Sequence, residues 1–470
     1  MVNITKNFTL EELYASDTAR AKGINNRPTT EAIGNLTRLA YCLLQPLRDK
    51  LGKPIIITSG YRSPALNKAV GGTTTSQHCL DTNTEILTPD GWKRNTEISI
   101  GDKVLNYNPT TGLIEEDIVL NKIEYFYKGD MVLFSNKVGN CYVTENHRMY
   151  DTPCSRTDNF QFREAKTLYR KRSIHYTSGI LNRTKSAYDI NMLRLSIAVI
   201  CDGCVYKRAN ANTPIIQFNL KKQRKMEELE NILNHLGIKY SKRYCKNRES
   251  QGQYGVYEYR INQTYSKPII DIIGVNKKIP SWFLQELNSD EMRQLVDTYI
   301  SFDGCIDKRK NCTGKSISSV DKDNIDILQA MAVLCNYRCI LKEYTNRKTN
   351  FGNSNIYTLS LSEHNRIRFN ETDVCITPDE LKVWCITTSN STIITRREGR
   401  TLIMGNCKGE AADLYSPGMT IKELYNFVKS SGLEYDQMIE EGTWLHLSYC
   451  KGHNRKENLL YRNKRYIKDN

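Results

Sequence analysis

Two stretches more than three hundred residues apart in this 470-residue chain complete one another chemically. "TTTSQH" stops at His78 and "CKGEAADL" starts at Cys407; joined, they read S-x-H-x-x-G-x-A-x-D, with His78 and Asp413 seven positions apart across a Gly and two Ala. Small residues between two potential metal ligands let the backbone turn tightly enough for both to reach one ion. Near the C-terminus "TWLHLSY" alternates, so Trp444, His446 and Ser448 share one face of a strand and His446 is available as a third ligand. The interrupting segment, 79–406, opens on Cys79 and closes on Asn406, with Cys407 immediately after. It therefore has a thiol at its start, a side-chain amide at its end and a second thiol beyond. Within it "CYVTENHRMY" sets Thr144 and His147 in a T-x-x-H spacing, a hydroxyl and an imidazole three positions apart. A further pair of carboxylates, Asp202 and Asp303, ends two similar apolar runs, "LRLSIAVICDGCVYKR" and "LVDTYISFDGCIDKR", 101 positions apart.

These groups need elements to position them. The chain is 39% apolar, enough for several cored domains, and no run of about 18 apolar residues spans a membrane. "MVNITKNFTLEEL" contains no apolar signal region, so synthesis in the cytoplasm is expected, with 15 reduced cysteines rather than a disulfide framework. The net charge of +15 favours an anionic partner, nucleic acid or a wall polymer. In "NFTLEEL", Thr9 and Glu12 form a capping box, and Ile33, Leu36, Leu39, Leu43 and Leu47 recur at helical spacing. "PIIITSGYR" reads as a buried strand delivering Arg62. Each Asp-Gly run is followed by an amphipathic helix, "KMEELENILNHLGI" or "NIDILQAMAVLCNY", and then by strand pairs that include "GVYEYRIN" or "NIYTLSLS".

Three resemblances follow from these residues. The ends, 142 residues once joined, resemble the D-alanyl-D-alanine zinc metallopeptidases of the Hedgehog-like fold through "SGYRSPALNKAVGG", the rejoined metal motif and "WLHLS". The resemblance implies an α+β domain, split into 1–78 and 407–470, whose zinc ion is held by His78, Asp413 and His446 with one position open for an activated water. The substrate implied is a peptidoglycan peptide, with Arg62 near the scissile carbonyl and Glu441 as general base. Several relatives carry the base three residues before the last His, where Thr443 stands here, and Glu440 competes with Glu441.

The insert resembles an intein. "CLDTNTEILTPDGWKRNTEISIGDKVL", the T-x-x-H block and "VWCITTSNSTIITRREGRTLIMGN" match the two halves, 79–185 and 371–406, of the all-β Hint horseshoe. The resemblance implies cofactor-free splicing. Cys79 attacks the His78 carbonyl with help from Thr144 and His147, Cys407 takes over the acyl group, and cyclisation of Asn406 releases the insert. Many inteins have His before the terminal Asn. Here it is Gly405, which leaves cyclisation to Cys385 or another group. The duplicated unit, 186–370, resembles a two-motif LAGLIDADG homing endonuclease of αββαββα repeats with "KKIP" (277–280) linking the copies. This implies double-stranded DNA as partner and magnesium at Asp202 and Asp303. The expectation is thus a monomeric multidomain α+β precursor, phage-encoded, reaching the wall through a holin or as a virion component. The alternative is a wall-binding or virion module with structural zinc and a degenerate endonuclease.

Overall fold

The computed structural model describes residues 3–28, 30–63, 66, 69, 79–154, 159–206, 214–245, 256–307, 314–349, 352–406, 411–449, 454, 456–462 and 465–469. The fold mixes α and β in several sheets, and the chain divides into two compact units, 1–76 with 407–470 and 77–406.

The first unit is assembled from both ends of the chain. Leu36, Leu39, Leu43 and Leu47 from one end share a buried core with Leu414, Leu424, Val428, Leu445 and Leu447 from the other. Burial of each such side chain is worth about 1.5–3 kcal/mol, so the apolar faces of the two ends stabilise each other. Helix Thr30–Leu39 runs through a π-turn, Ala40–Leu44, into Gln45–Leu51, realising the apolar spacing read from the sequence. Thr9 and Glu12 do exchange capping hydrogen bonds, Thr9 N to Glu12 Oε2 at 2.8 Å and Glu12 N to Thr9 Oγ1 at 3.3 Å. They frame only a single 3₁₀ turn, Glu11–Leu13.

The sheet of this unit orders its strands Ile56–Ser59, Ala411–Tyr415, Leu445–Ser448, Gln437–Glu440, Glu457–Arg462 and Arg465–Lys468. "PIIITSGYR" differs from the expected buried strand. It forms the sheet edge, and Ile56 is 41% exposed, because an apolar run signals a strand without telling whether both faces are covered. Antiparallel registers place Asp413 beside Ser59 on one side and His446 on the other.

In the second unit a closed barrel is formed by Leu80–Asp81, Val374–Thr387, Asn121–Ser135 and Asn140–Thr144. A separate four-stranded sheet is ordered Gln161–Glu164, Arg148–Thr152, Ser173–Tyr176 and Arg366–Phe369. Strand Arg366–Phe369, which the sequence reading gave to the endonuclease region ending at 370, pairs instead with Ser173–Tyr176. Its short apolar alternation fits either sheet, and the pairing partner lies nearly two hundred residues upstream.

The duplicated region repeats helix, two strands, helix, two strands. The first copy runs through Ile190–Asp202, Gly203–Tyr206, Ile215–Leu220, Gln223–His235, Tyr240–Cys245 and Val256–Ile261, then adds helix Gln263–Ile273. The second runs through Ser289–Asp303, Gly304–Ile306, Lys315–Ser319, Lys322–Leu334, Arg338–Thr349 and Gly352–Ser362, with no helix closing it. The four strands of the second copy continue into Arg400–Gly405, Thr392–Arg397, Glu85–Thr88 and Gly91–Lys93, giving one eight-stranded sheet.

Candidate functional sites

Both described ends of the insert meet the same turn. Cys79 N donates to Thr144 Oγ1 at 3.0 Å and Thr144 N donates back to the Cys79 carbonyl at 3.0 Å. Thr144 ends one strand and Arg148 begins the next, with His147 N closing the turn on the Thr144 carbonyl at 2.9 Å. Arg148 Nη1 in turn donates to the carbonyl oxygen of Asn406 at 3.2 Å. Residues 144–148 therefore engage the first and last residues of the insert. Cys79, Thr144, His147, Cys385 and Asn406 are all fully buried.

Asn406 is also held through its other groups. Its backbone N–H donates to the Ser391 carbonyl at 3.1 Å, and its Nδ2 donates to Thr388 Oγ1 at 2.8 Å. Cys385, the residue named from sequence for cyclisation, directs its Sγ to the Ile386 carbonyl at 3.4 Å. Arg148 and Thr388 escaped the sequence reading. Arg148 sits beside His147, but one arginine at the start of a strand carries no pattern, and Thr388 becomes informative only when the strand ends are folded together. Cys407 lies outside the described residues.

The two Asp-Gly helices pack side by side within the insert, with Ile197 and Thr298 buried. A Cβ at Gly203 would lie 2.7 Å from Val199 Cα, and one at Gly304 2.6 Å from Ile300 Cα. Each chain thus turns back against the last helical turn, where a side chain has no room. Lys225 Nζ bridges the two carboxylates, at 2.6 Å from Asp202 Oδ2 and 3.3 Å from Asp303 Oδ1. Burial raises the Asp202 carboxyl pKa, an effect opposed by Lys225 and reinforced by Asp303. One ammonium shared by two carboxylates marks a position that favours positive charge, and that donor set suits a hard divalent cation. Lys225 was not singled out in sequence because it sits in the basic run "KKQRK" (221–225), where no spacing sets one lysine apart from the others.

In the first unit, His446 Nδ1 lies 2.8 Å from Asp413 Oδ1 across the paired strands, and Arg62 Nη2 lies 3.7 Å from Asp413 Oδ2. Ser59 Oγ accepts from Arg62 Nε at 2.7 Å, which orients the guanidinium. His78 lies outside the described residues. Among the described residues no three His, Cys, Asp or Glu side chains converge as a metal cluster. The Asp413–His446 pair nevertheless fits zinc in kind and closeness, an imidazole and a carboxylate near enough to share one ion. Glu440 is buried and ion-paired with Arg462, while Gly442 N donates to its other oxygen at 3.1 Å. Burial raises the pKa of Glu441, which also senses the charges of His446 and Asp413.

Comparison with known proteins gives a divided result. Residues 6–98 match the family model described as Peptidase M15. The chain is 24% identical over 420 aligned residues to the ribonucleoside-diphosphate reductase subunit beta of Aquifex aeolicus (strain VF5), covering 77% of this chain and 57% of that protein. It is 28% identical over 108 residues to the ATP-dependent Clp protease proteolytic subunit of Chlamydomonas moewusii, covering 23% of this chain and 11% of that one. The chain thus spans little more than half the length of the first of these relatives. Among solved structures, I-DmoI in complex with DNA and Mn matches with 14% identity and a TM-score of 0.27, covering 37% of this chain and 91% of that chain. The homing endonuclease I-WcaI bound to its DNA recognition sequence matches with 16% identity and a TM-score of 0.27, covering 38% and 78%. No helix among the described residues is long and apolar enough to cross a membrane.

Proposed function

We propose that this chain is a self-splicing precursor in which residues 79–406 excise themselves and join His78 to Cys407, producing a zinc-dependent peptidoglycan peptidase and a free DNA endonuclease. The observation that carries the proposal is the turn 144–148, hydrogen-bonded to Cys79 at one junction and to Asn406 at the other. A segment that removes itself must bring its two ends to one set of catalytic groups. The Cys79 thiol attacks the His78 carbonyl, the C–N bond breaks, and the leaving nitrogen takes a proton, with His147 as its donor. The resulting thioester passes to the Cys407 thiol. Asn406 then cyclises, and a final S-to-N shift leaves an ordinary peptide bond.

The match of residues 6–98 to the M15 model supports the peptidase reading of the ends. Similarity to proteins named for a reductase subunit and for a Clp protease subunit fits a transferable insert. In the joined product Asp413 and His446 would hold zinc together with His78, and the metal would supply an acidified water. Arg62 would orient the substrate carbonyl. Glu441 is better suited than Glu440 to accept a proton, because Arg462 already binds the Glu440 carboxylate. In the free insert, Asp202 and Asp303 would bind a divalent ion at the DNA backbone, with Lys225 supplying a second positive charge.

The test is intact mass after expression under reducing conditions. The proposal expects a 142-residue ligated product and a 328-residue insert. A wild-type chain that remains at 54.2 kDa with both termini intact would refute it.

A further inference from the structure

We propose that Arg148 and Thr388 carry the asparagine step of splicing: Arg148 stabilises the oxyanion that develops on Asn406, and Thr388 holds the attacking amide. The proposal rests on the self-splicing reading and assigns the step that Gly405 leaves without its usual histidine.

Asn406 is fully buried and is gripped at both of the groups that must react with each other. Its carbonyl oxygen accepts from Arg148 Nη1 at 3.2 Å, and its Nδ2 donates to Thr388 Oγ1 at 2.8 Å. The Thr388 hydroxyl spends its own proton on the Thr392 carbonyl at 2.9 Å, so it meets the amide as an acceptor. The side-chain amide and the main-chain carbonyl of Asn406 are thus each held by a separate partner. The guanidinium of Arg148 lies 4.1 Å from the Phe162 ring centroid, a cation–π contact that fixes a long side chain in one place.

Gly405 belongs to the same arrangement. A Cβ there would lie 2.7 Å from Arg148 O, 2.8 Å from Arg148 Cβ and 3.0 Å from Phe162 Cδ1. The Arg148–Phe162 pair occupies the space that a residue with a side chain at 405 would need. The absent histidine and the arginine on the scissile carbonyl are two aspects of one packing solution.

The chemistry balances without any added reactant. Nδ2 forms a bond to the carbonyl carbon of its own residue, and the carbonyl electron pair moves to the oxygen that faces Arg148. The bond to the nitrogen of residue 407 then breaks, the carbonyl reforms, and the proton lost by Nδ2 ends on the departing amine. The insert is left with a C-terminal succinimide. A cationic donor already aimed at the oxygen where charge develops is an oxyanion-hole device, and loss of one such donor slows catalysis about 10²–10³-fold.

The experiment uses the full chain and follows both junctions by intact mass. Thiol-induced cleavage before Cys79 reports the first step and the integrity of the fold; release at Asn406–Cys407 reports cyclisation. Arg148→Met is expected to slow release at 406–407 by about 100-fold, to accumulate branched intermediate and to leave thiol-induced cleavage at the wild-type rate. Thr388→Val should slow the same step by about tenfold, the worth of a single neutral hydrogen bond. Arg148→Lys, which keeps the charge, should fall between Arg148→Met and wild type. Release by Arg148→Met within threefold of wild type overturns the assignment. If Arg148→Met also loses thiol-induced cleavage, the decision passes to Arg148→Lys and Thr388→Val, and an unchanged ratio of the two cleavages in both overturns it. A wild-type chain that cleaves at neither junction instead overturns the self-splicing reading itself.

Discussion

The groups at the ends of the insert and the groups expected to act on outside molecules live in opposite surroundings. Cys79, Thr144, His147 and Asn406 have no exposed surface, whereas the side chains of Asp202, Asp303, Asp413 and His446 remain 22, 33, 19 and 26% exposed. On the proposed reading, the difference follows from where the substrate comes from. A site whose substrate is its own backbone can be sealed during folding, since nothing has to enter, and a dry interior strengthens each hydrogen bond on the reacting carbonyls. A site for DNA or a wall peptide must keep its carboxylates hydrated until the partner arrives.

The most severe way to break this contrast is to remove the chemistry at the sealed site. Cys79→Ala combined with Asn406→Ala is expected to abolish ligation completely and leave only the 54.2 kDa chain, as read by intact mass. Next in size, Asp202→Ala or Asp303→Ala should reduce magnesium-dependent cutting of a duplex carrying the uninterrupted host sequence by at least about 10²-fold. Splicing yield in the same preparations should not change, because the carboxylates lie on the helices of the duplicated region. Equal loss of both activities would erase the distinction between the sites.

A third test uses a direct fusion of residues 1–78 and 407–470. His446→Ala should weaken bound zinc by about 10²-fold or more and abolish hydrolysis of peptidoglycan peptides, measured by metal titration and product release. A fusion that binds zinc and never hydrolyses would favour the wall-binding alternative.

Smaller effects sharpen the comparison. Burial raises the Asp202 pKa above its unfolded value, so the folded state holds a proton more tightly and stability falls as pH rises from the unfolded pKa through the folded one. Asp202→Asn should therefore raise the melting temperature of the insert at pH 7, with the gain vanishing below about pH 4, where both states of the wild type are protonated. The slightest change expected is at Thr420, whose Oγ1 accepts from Glu423 N at 3.2 Å while Glu423 bonds back to Thr420 N at 2.8 Å. Thr420→Ala should cost about 1 kcal/mol of stability in the first unit, read from denaturant midpoints.

What the sequence disclosed was whatever has a period or a motif. The helix around Leu36 to Leu47, the repeated Asp-Gly helices and the spacing of Thr144 and His147 can be seen without coordinates, because helical and turn geometry force those intervals. Pairings across distance could not be seen. Strand Asn121–Ser135 runs against Val374–Thr387 along its whole length, and nothing local in either segment names the other. The exposed edge strand at Ile56 and the pairing of Arg366–Phe369 with Ser173–Tyr176 have the same cause: an apolar stretch signals a strand, while tertiary pairing decides its neighbours. At the junctions, Thr144 was readable because it belongs to a spacing, and Arg148 was hidden because its role depends on where residue 406 returns.

If the proposed splicing is right, the continuous eight-stranded sheet has a consequence for trimming this insert to a minimal splicing tool. Strand Arg338–Thr349 adjoins Arg400–Gly405, Leu341 N donates to the Gly399 carbonyl at 2.9 Å, and the buried Arg396 divides its guanidinium between Glu85 on one side and Asp326 and Gln329 on the other. Excising the duplicated region would bare the flank of the strand that delivers Asn406 and remove Asp326 and Gln329, leaving the buried Arg396 with Glu85 alone of these partners. Uncovered edges invite strand addition between copies. A shortened version therefore needs a replacement carboxylate for Arg396 and a charged or proline-blocked flank, and without them its characteristic failure will be aggregation rather than slow chemistry.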